Sequence, residues 1–557
     1  MDKTTKVDFT LDGRKISAEE GANLLEVIRA NGTALPGVCY EEGKPPIGKC
    51  RMCVVDIAGV YRTACTVKVT AGIEVKTDTP ELREMRAAYE KLLGKTGDKN
   101  NSGEKKSKPL VCSTSDGCGL FYLDASKCIL CGSCVRACNE QNINSLAMVS
   151  RGDKARVQTE FNVAIDDSRC VLCGKCSVKC PVHAIEVRDD TERAFAALKD
   201  AKKNGKTVVV QTAPSIRVAL GEECGFPPGT RVTGKMVAAL RRLGFAAVFD
   251  TDFGADLTIM EEASELKKYL GKRLVVTSCC PGWIITAEKY YPEILPFLSS
   301  AKSPQTMVGA MIKSYWAKKK GIDPKNIVVV SILPCTAKKF EASRPELSND
   351  GLANVDIALT TRELGKMIRK AGIDFAALKD EDFDGFLGES TGGGVIFGVT
   401  GGVTEAALRM VFPEHKPEFK EARGLEGIKV AEIGAGGAGS GAGSGEGGKA
   451  RIAIANGIGN ARKLMDAVVS GKEKFDFIEI MACEGGCAGG GGQPRPTTKS
   501  VIEARTKGLY GEDEGKKVRR AQENPSIKAV YADFLGEPLS EVSRKYLHTH
   551  YKSRKKK

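Results

Sequence analysis

The 557-residue chain contains no apolar run approaching the ~20 residues that a membrane-spanning helix requires, so a membrane role has no support. Basic residues exceed acidic ones by 14. No aromatic interleaving or nucleic-acid-binding motif accompanies them, so a nucleic-acid partner has no support either. The basic excess gathers largely in residues 91–108 and in the tail 552–557. Such runs read as solvated linkers and termini, with docking of an acidic redox partner as the alternative. No signal-peptide pattern opens the chain. The 20 cysteines fall into C-x2-C groups, unlike the framework of a small secreted disulfide protein. Metal binding in a reducing compartment, the cytoplasm, is therefore expected. The length is too great for one core and implies three to five domains.

What is present is cysteine in loops. Three segments stand out: T-S-C-C-P-G-W at 277–283, L-P-C-T-A-K-K-F-E at 333–341 and E-I-M-A-C-E-G-G-C-A-G-G-G-G-Q-P at 479–494. Each follows an apolar run that reads as a buried strand (274–277, 327–333, 475–481), and the first two lead into helix-forming sequence. Residues 208–222 repeat that strand-loop-helix grammar. Alternating strands and helices imply a parallel sheet with ligands beyond the carboxyl ends of its strands, so the three segments should meet at one edge.

The middle of the chain carries C-x2-C-x2-C-x3-C twice, at Cys128, Cys131, Cys134, Cys138 and at Cys170, Cys173, Cys176, Cys180. This is the bacterial ferredoxin pattern for two 4Fe-4S clusters, in which the fourth cysteine of each run serves the other cluster. The expected sets are Cys128, Cys131, Cys134 with Cys180, and Cys170, Cys173, Cys176 with Cys138. Near the N-terminus, Cys39, Cys50, Cys53 and Cys65 suit a 2Fe-2S centre. Alternation at 6–11 followed by helical sequence at 22–31 suits a β-grasp fold. The expected fold class is multidomain α/β and α+β. It comprises a β-grasp domain (1–79), a linker (80–122), a ferredoxin-like two-4Fe-4S domain (123–195), an α/β catalytic domain with parallel sheets (200–505) and a C-terminal segment (506–557).

The three cysteine segments resemble the signature motifs of the iron-only (FeFe) hydrogenases, a likeness covering roughly 206–494. The resemblance implies reversible interconversion of two protons and two electrons with H2. It also implies an H-cluster, a 4Fe-4S cubane joined to a diiron unit carrying carbon monoxide, cyanide and azadithiolate. Carried over by position, Cys280, Cys335, Cys483 and Cys487 are its ligands, with Cys487 the bridge. Cys279 becomes the acid/base, with Glu262, Glu265 and Ser299 as its proton relay. Without the likeness, Glu262 and Glu265 would read equally well as a solvated helix face. Tyr269 stands where some relatives have an outer arginine. Pro214, Ser215, Pro304, Gln305, Lys338 and Met481 line the diiron ligands. Leu333 replaces a usual methionine, and Glu341 and Glu479 are supporting hydrogen-bond partners.

The first domain is similar to that of the large iron-sulfur subunit of complex I and of the larger hydrogenases. Relatives carry a His-ligated 4Fe-4S site next. Here Lys108 and Ser115 stand at two ligand positions and only Cys112 and Cys118 remain, so that cluster is expected to be absent. The segment 509–551 resembles the small subunit that wraps the catalytic domain, with His548 and His550 as part of that belt. Cys224 is expected to be a structural thiol. G-x-G-x-x-G at 434–439 reads as part of a flexible glycine-rich insertion (434–448) rather than a dinucleotide site.

Implied partners are ferredoxin or flavin/NAD(P)-binding subunits, together with maturation enzymes. The alternative readings are the catalytic subunit of an NAD(P)-reducing or electron-bifurcating complex, an iron-sulfur assembly factor, or a sensor. The energetics suit hydrogen chemistry. The proton couple lies near roughly -410 mV at pH 7, and low-potential ferredoxin-type clusters work near about -400 mV.

Overall fold

The computed structural model describes residues 5–95, 108–109, 120–151, 154–165, 167–413, 423–434 and 449–554. Contacts divide the chain into two compact units: 1–140 with 144–168 and 179–186, and 141–143 with 169–178 and 187–557. Among the described residues, no helix is long and apolar enough to cross a membrane.

In the first unit, five strands order as Arg14–Glu19, Lys6–Leu11, Glu74–Lys76, Val54–Ile57 and Val60–Thr63. Strand Lys6–Leu11 pairs antiparallel to its hairpin partner and parallel to Glu74–Lys76, the mixed arrangement of a β-grasp. Helix Leu24–Ala30 starts where the Asn23 side chain accepts the N–H groups of Leu25 and Glu26, a cap for otherwise unpaired donors. It buries Leu24, Leu25 and Ile28 against Phe9, Leu11, Val55 and Val75. Residues 80–95, expected to open a linker, instead form helix Pro80–Lys95. Proline at the first position and Glu81 in the first turn favour that start, and Arg86 ties the helix to the sheet through Val54 O at 2.7 Å. Cys112, Ser115 and Cys118 lie outside the described residues, as do 435–448 of the glycine-rich insertion.

The second unit contains two four-stranded sheets where a single shared edge was expected. The first orders Ala247–Asp250, Thr207–Thr212, Ile327–Leu333 and Ile357–Thr360, all parallel. The second orders Val275–Val276, Phe477–Met481, Lys449–Asn456 and Ile428–Gly434, with only the last pairing antiparallel. The inner strands Thr207–Thr212 and Ile327–Leu333 are nearly continuous apolar runs because both faces are covered, whereas the edge strand Ile428–Gly434 alternates and leaves Ile428 and Val430 exposed. Helix Thr251–Tyr269 contributes Phe253 and Leu257 to the core that includes Val209 and Phe249 of the first sheet. Its Ala255, Ile259 and Ala263 join the core that includes Ile452 and Phe477 of the second. After Thr207–Thr212 the chain makes 3-10 turns, Pro214–Val218 and Leu220–Cys224, rather than the α-helix expected there. Near the C-terminus, Ile527, Val530, Leu535 and Leu547 pack into the same core as Val209 and Met307. The C-terminal segment is thus structurally part of this unit. Cys224 is half-buried against the apolar core around Val232 and Met367.

Candidate active site

Cavity-lining residues follow the carboxyl ends of strands from both sheets. Cys279 and Cys280 come just after Val275–Val276, Cys335 after Ile327–Leu333, Cys483 and Cys487 after Phe477–Met481, and Pro214 after Thr207–Thr212. All five cysteines line one cavity, with Pro214, Pro304, Gln305, Leu333, Lys338 and Met481 also in its wall. Cys280 caps helix Pro281–Tyr290, whose first-turn proline needs no hydrogen-bond acceptor. The Ala482 N–H donates to Cys280 Sγ at 3.3 Å. Ser215 sits behind the wall, its hydroxyl donating to Cys487 O at 3.4 Å and accepting from Gln493 Nε2 at 3.1 Å.

The glycine density of 485–492 has a steric cause. Gly486 has φ +74°, and a Cβ there would lie 2.6 Å from Thr400 N. On Gly490 a Cβ would meet Pro334 O at 2.3 Å, and on Gly491 it would meet Cys173 O at 2.8 Å. Any larger residue would push apart the loops that bring the cysteines together.

Lys338 Nζ donates to Cys279 O at 3.0 Å and to both Glu341 oxygens at 3.0 and 2.9 Å. Burial alone would lower its pKa, but the Glu341 carboxylate outweighs it and raises it. Glu341 also accepts from Gln305 Nε2 at 2.8 Å and from the Ser303 and Thr306 hydroxyls. Glu479 accepts from Gly401 N and Thr404 N, both at 2.7 Å, and so pins a second loop near the cavity.

Glu262 and Glu265 are 1% and 6% exposed, so the solvated-face reading does not describe this helix. Burial, reinforced by Glu265, pushes Glu262 up to about 8 against a hydrogen bond from Ser299 that lowers it. The neutral acid is therefore the resting form near pH 7. Glu262 also raises the Cys279 thiol, which burial already drives well above its ordinary range. Glu265 accepts the Ser300 N–H at 3.2 Å. Tyr269 is covered by Arg273, whose guanidinium carbon lies 4.0 Å from the ring centroid.

In the first unit, Cys128, Cys131, Cys134 and Cys180 surround one cavity, the crossed set expected from the duplicated motif. Cys138 lies on the same helix as Cys134, Ser133–Glu140, where Ser145 N–H donates to its sulfur at 3.2 Å. Cys39, Cys50, Cys53 and Cys65 are all buried, with side-chain contacts pairing Cys39 to Cys50 and Cys53 to Cys65. Cys131 shares an apolar cluster with Cys39, Cys50 and Met52, which places the two thiol groups side by side. In the second unit, Cys173 lines the catalytic cavity beside Cys280 and Cys483, while Cys170 N-terminal to it and Cys176 stay on its own loop and helix.

The donor set suits iron-sulfur chemistry. Burial raises the thiols of Cys280, Cys335, Cys483 and Cys487, so four thiolates are stable together only against a cationic group. Motif reading missed Thr251, Phe397 and Gly398 in the cavity wall. The T-G-G-G run at 391–394 was the available signal, since clustered glycine marks close backbone approach.

The family model described as "Iron only hydrogenase large subunit, C-terminal domain" matches residues 206–491, and that for the iron hydrogenase small subunit matches 499–554. A 2Fe-2S iron-sulfur cluster binding domain matches 4–80 and a 4Fe-4S dicluster domain 127–195. The chain is 42% identical to "NADP-reducing hydrogenase subunit HndD" of Solidesulfovibrio fructosivorans, over 98% of this chain and 99% of that protein. It is 37% identical to "Iron hydrogenase 1" of Clostridium pasteurianum, over 97% and 99%. A solved apo variant of the FeFe-hydrogenase HydA1 from Chlamydomonas reinhardtii is similar at TM-score 0.59 and 44% identity, covering 66% of this chain and 100% of that one. With relatives alike from end to end and the family model spanning the catalytic region, the chain belongs to the iron-only (FeFe) hydrogenases, oxidoreductases acting on hydrogen that carry an H-cluster, and in this chain 2Fe-2S and 4Fe-4S domains precede the catalytic one.

Proposed function

We propose that Cys280, Cys335, Cys483 and Cys487 hold the H-cluster, with Cys487 as the bridge, and that Cys279 is the thiol that exchanges protons beside it. The observation that carries this assignment is the surplus thiol: six cysteines line one cavity, Cys173 belongs to the ferredoxin-type run, and of the remaining five four suffice for a cubane. When bound, the H-cluster supplies the redox chemistry of making and breaking H2. Cys279 moves the proton. Its neighbour Glu262 is a buried acid bonded to Ser299 and flanked by Glu265, so the side chains lead away from the cavity along one face of helix Thr251–Tyr269. Lys338, held by Glu341, brings positive charge to a dry pocket, where it favours anionic ligands. Pro214, Pro304 and Met481 exclude water, while Gln305 and Ser215 orient the wall.

On the same reading, Cys39, Cys50, Cys53 and Cys65 hold the 2Fe-2S cluster, and Cys128, Cys131, Cys134 and Cys180 hold a cubane. The shared apolar cluster around Cys131 supports electron exchange between those two, and Cys173 in the catalytic wall supports delivery from the second cubane. End-to-end likeness to an NADP-reducing hydrogenase subunit supports a flavin- and NAD(P)-binding partner as electron acceptor, ahead of a free ferredoxin. A cytoplasmic setting accords with cysteines grouped for metal. Affinity purification from the native host should recover a nucleotide-binding subunit and H2-dependent NADP+ reduction. Recovery of the chain alone, active only with ferredoxin, rejects the partner.

The cysteine assignment is tested with matured Cys279→Ser and Cys280→Ser. The first should keep iron content and carbonyl infrared bands while turnover falls by roughly 10^2 to 10^4-fold, because a serine hydroxyl is a far weaker acid than a thiol. The second should lose cluster occupancy together with activity. Near-wild-type turnover in Cys279→Ser, or cluster loss like that of Cys280→Ser, refutes the division of roles.

A further inference from the structure

Beyond Glu265 the hydrogen bonds do not stop. The Ser300 hydroxyl donates to Glu265 and stands 2.7 Å from Nδ1 of His548. On the other side of the ring, Nε2 lies 2.9 Å from Glu261 Oε2. Glu261 is fully buried and also accepts from the Tyr531 hydroxyl, from Ser543 Oγ at 2.7 Å and from Leu539 N at 2.8 Å. Burial opposes its ionisation, but His548 and these donors prevail and hold its pKa below the ordinary value. A carboxylate, an imidazole, a hydroxyl and a second carboxylate are thus joined in series. The backbone fixes the imidazole in place, since Thr549 N–H donates to Ser300 O at 2.8 Å and Lys302 N–H to Leu547 O at 2.7 Å.

We infer that His548, a residue of the C-terminal segment, is the proton-positioning partner of Glu265, exchanging protons with it through the Ser300 hydroxyl. This rests on the relay Cys279, Glu262, Ser299 and Glu265 proposed above, and extends it. The transfer balances within the chain of bonds. An imidazolium gives its Nδ1 proton to Ser300 Oγ, the hydroxyl gives its own proton to the Glu265 carboxylate, and the products are a neutral imidazole and a neutral acid. The Nε2–H goes on donating to the Glu261 carboxylate, which stabilises the imidazolium and holds the ring in register, as a carboxylate does for a catalytic histidine.

The groups facing the imidazole are Glu261 and Glu265 from the central helix, Ser300 from the adjoining loop and, through Glu261, Tyr531. Lys302 on that loop directs its ammonium elsewhere, to Asn349 Oδ1 at 2.8 Å and Tyr546 O at 3.0 Å, and burial lowers it to about 8. Imidazole carries a donor and an acceptor nitrogen on one ring, so it can pass a proton between two hydrogen-bonded neighbours.

The experiment uses the matured full-length enzyme carrying His548→Gln, whose amide can hold both hydrogen bonds but cannot titrate. Iron content and carbonyl infrared bands should match wild type, while H2 evolution falls about tenfold or more with an altered pH profile. Wild-type rate and pH profile in that variant overturn the inference. Where His548→Gln fails to load its clusters, Ser300→Ala decides: it cuts the bridge and leaves the His548–Glu261 pair, so a lowered rate with an altered pH profile supports the inference and an unchanged enzyme overturns it. Glu265→Gln separates the two levels. Full activity there rejects the underlying relay, whereas loss there with intact His548→Gln and Ser300→Ala rejects only the histidine.

Discussion

Replacing Glu262 with glutamine should make the protein more stable at alkaline pH and nearly inactive at every pH. The carboxyl rises from an ordinary 4.5 to about 8, chiefly by burial and then by Glu265. Because the folded-state pKa lies above the unfolded one, the folded chain holds this proton more tightly. The wild-type advantage is complete below about pH 4.5 and is lost as pH rises toward 8. At roughly 1.4 kcal/mol per pH unit, the full linkage amounts to about 3–5 kcal/mol once coupling to Glu265 is allowed for. Glutamine keeps the neutral shape and does not ionise. Its melting temperature should match wild type near pH 5 and exceed it by about 5 °C or more at pH 8 to 9, taking about 2 °C per kcal/mol for a large domain. Calorimetry of the catalytic-domain transition across that pH range measures the gap. Hydrogen evolution by the matured variant should fall by roughly 10^2 to 10^4-fold, since an amide relays no proton. A stability gap that does not grow with pH refutes the electrostatic reasoning, and undiminished turnover removes Glu262 from the path.

Protein produced without maturation enzymes should contain about 14 iron atoms per chain, for one 2Fe-2S cluster and three cubanes, because Lys108 and Ser115 stand at ligand positions of the His-ligated site; about 18 contradicts this. The same unmatured protein should evolve no H2 from reduced methyl viologen and should gain activity when a synthetic diiron complex is added, because no side chain can provide carbon monoxide or cyanide. Activity before that addition refutes the need for a diiron unit. Gly491→Ala sets a methyl 2.8 Å from Cys173 O and 3.1 Å from Gly174 Cα, both backbone atoms, and overpacking of this kind costs roughly 1–3 kcal/mol. Lower cluster occupancy and melting temperature should follow, and unchanged values for both show that the two loops have room to separate.

The cluster chemistry was legible in the chain because ligand spacing is local. C-x2-C-x2-C-x3-C brings three thiols within one loop and turn, and the carry-over of the fourth follows from the duplication; the shared cavity of Cys128, Cys131, Cys134 and Cys180 agrees with it. Strands at 327–333 and 477–481 were equally legible, since residues covered on both faces leave apolar runs interrupted only by Ser331 and Glu479. Periodicity could not say that the cysteine loops leave two different sheets, because strand order depends on pairings between distant segments. Nor could it decide whether Glu262 and Glu265 face solvent. Their three-residue spacing fixes one helix face, but only the packing of helix Thr251–Tyr269 between two cores makes that face an interior one. His548 lies 283 positions beyond Glu265, counting 548 less 265, and no local pattern links them. Their approach was decided when Leu547 and its neighbours found burial against the catalytic core, and the hydrogen bonds through Ser300 followed from that packing.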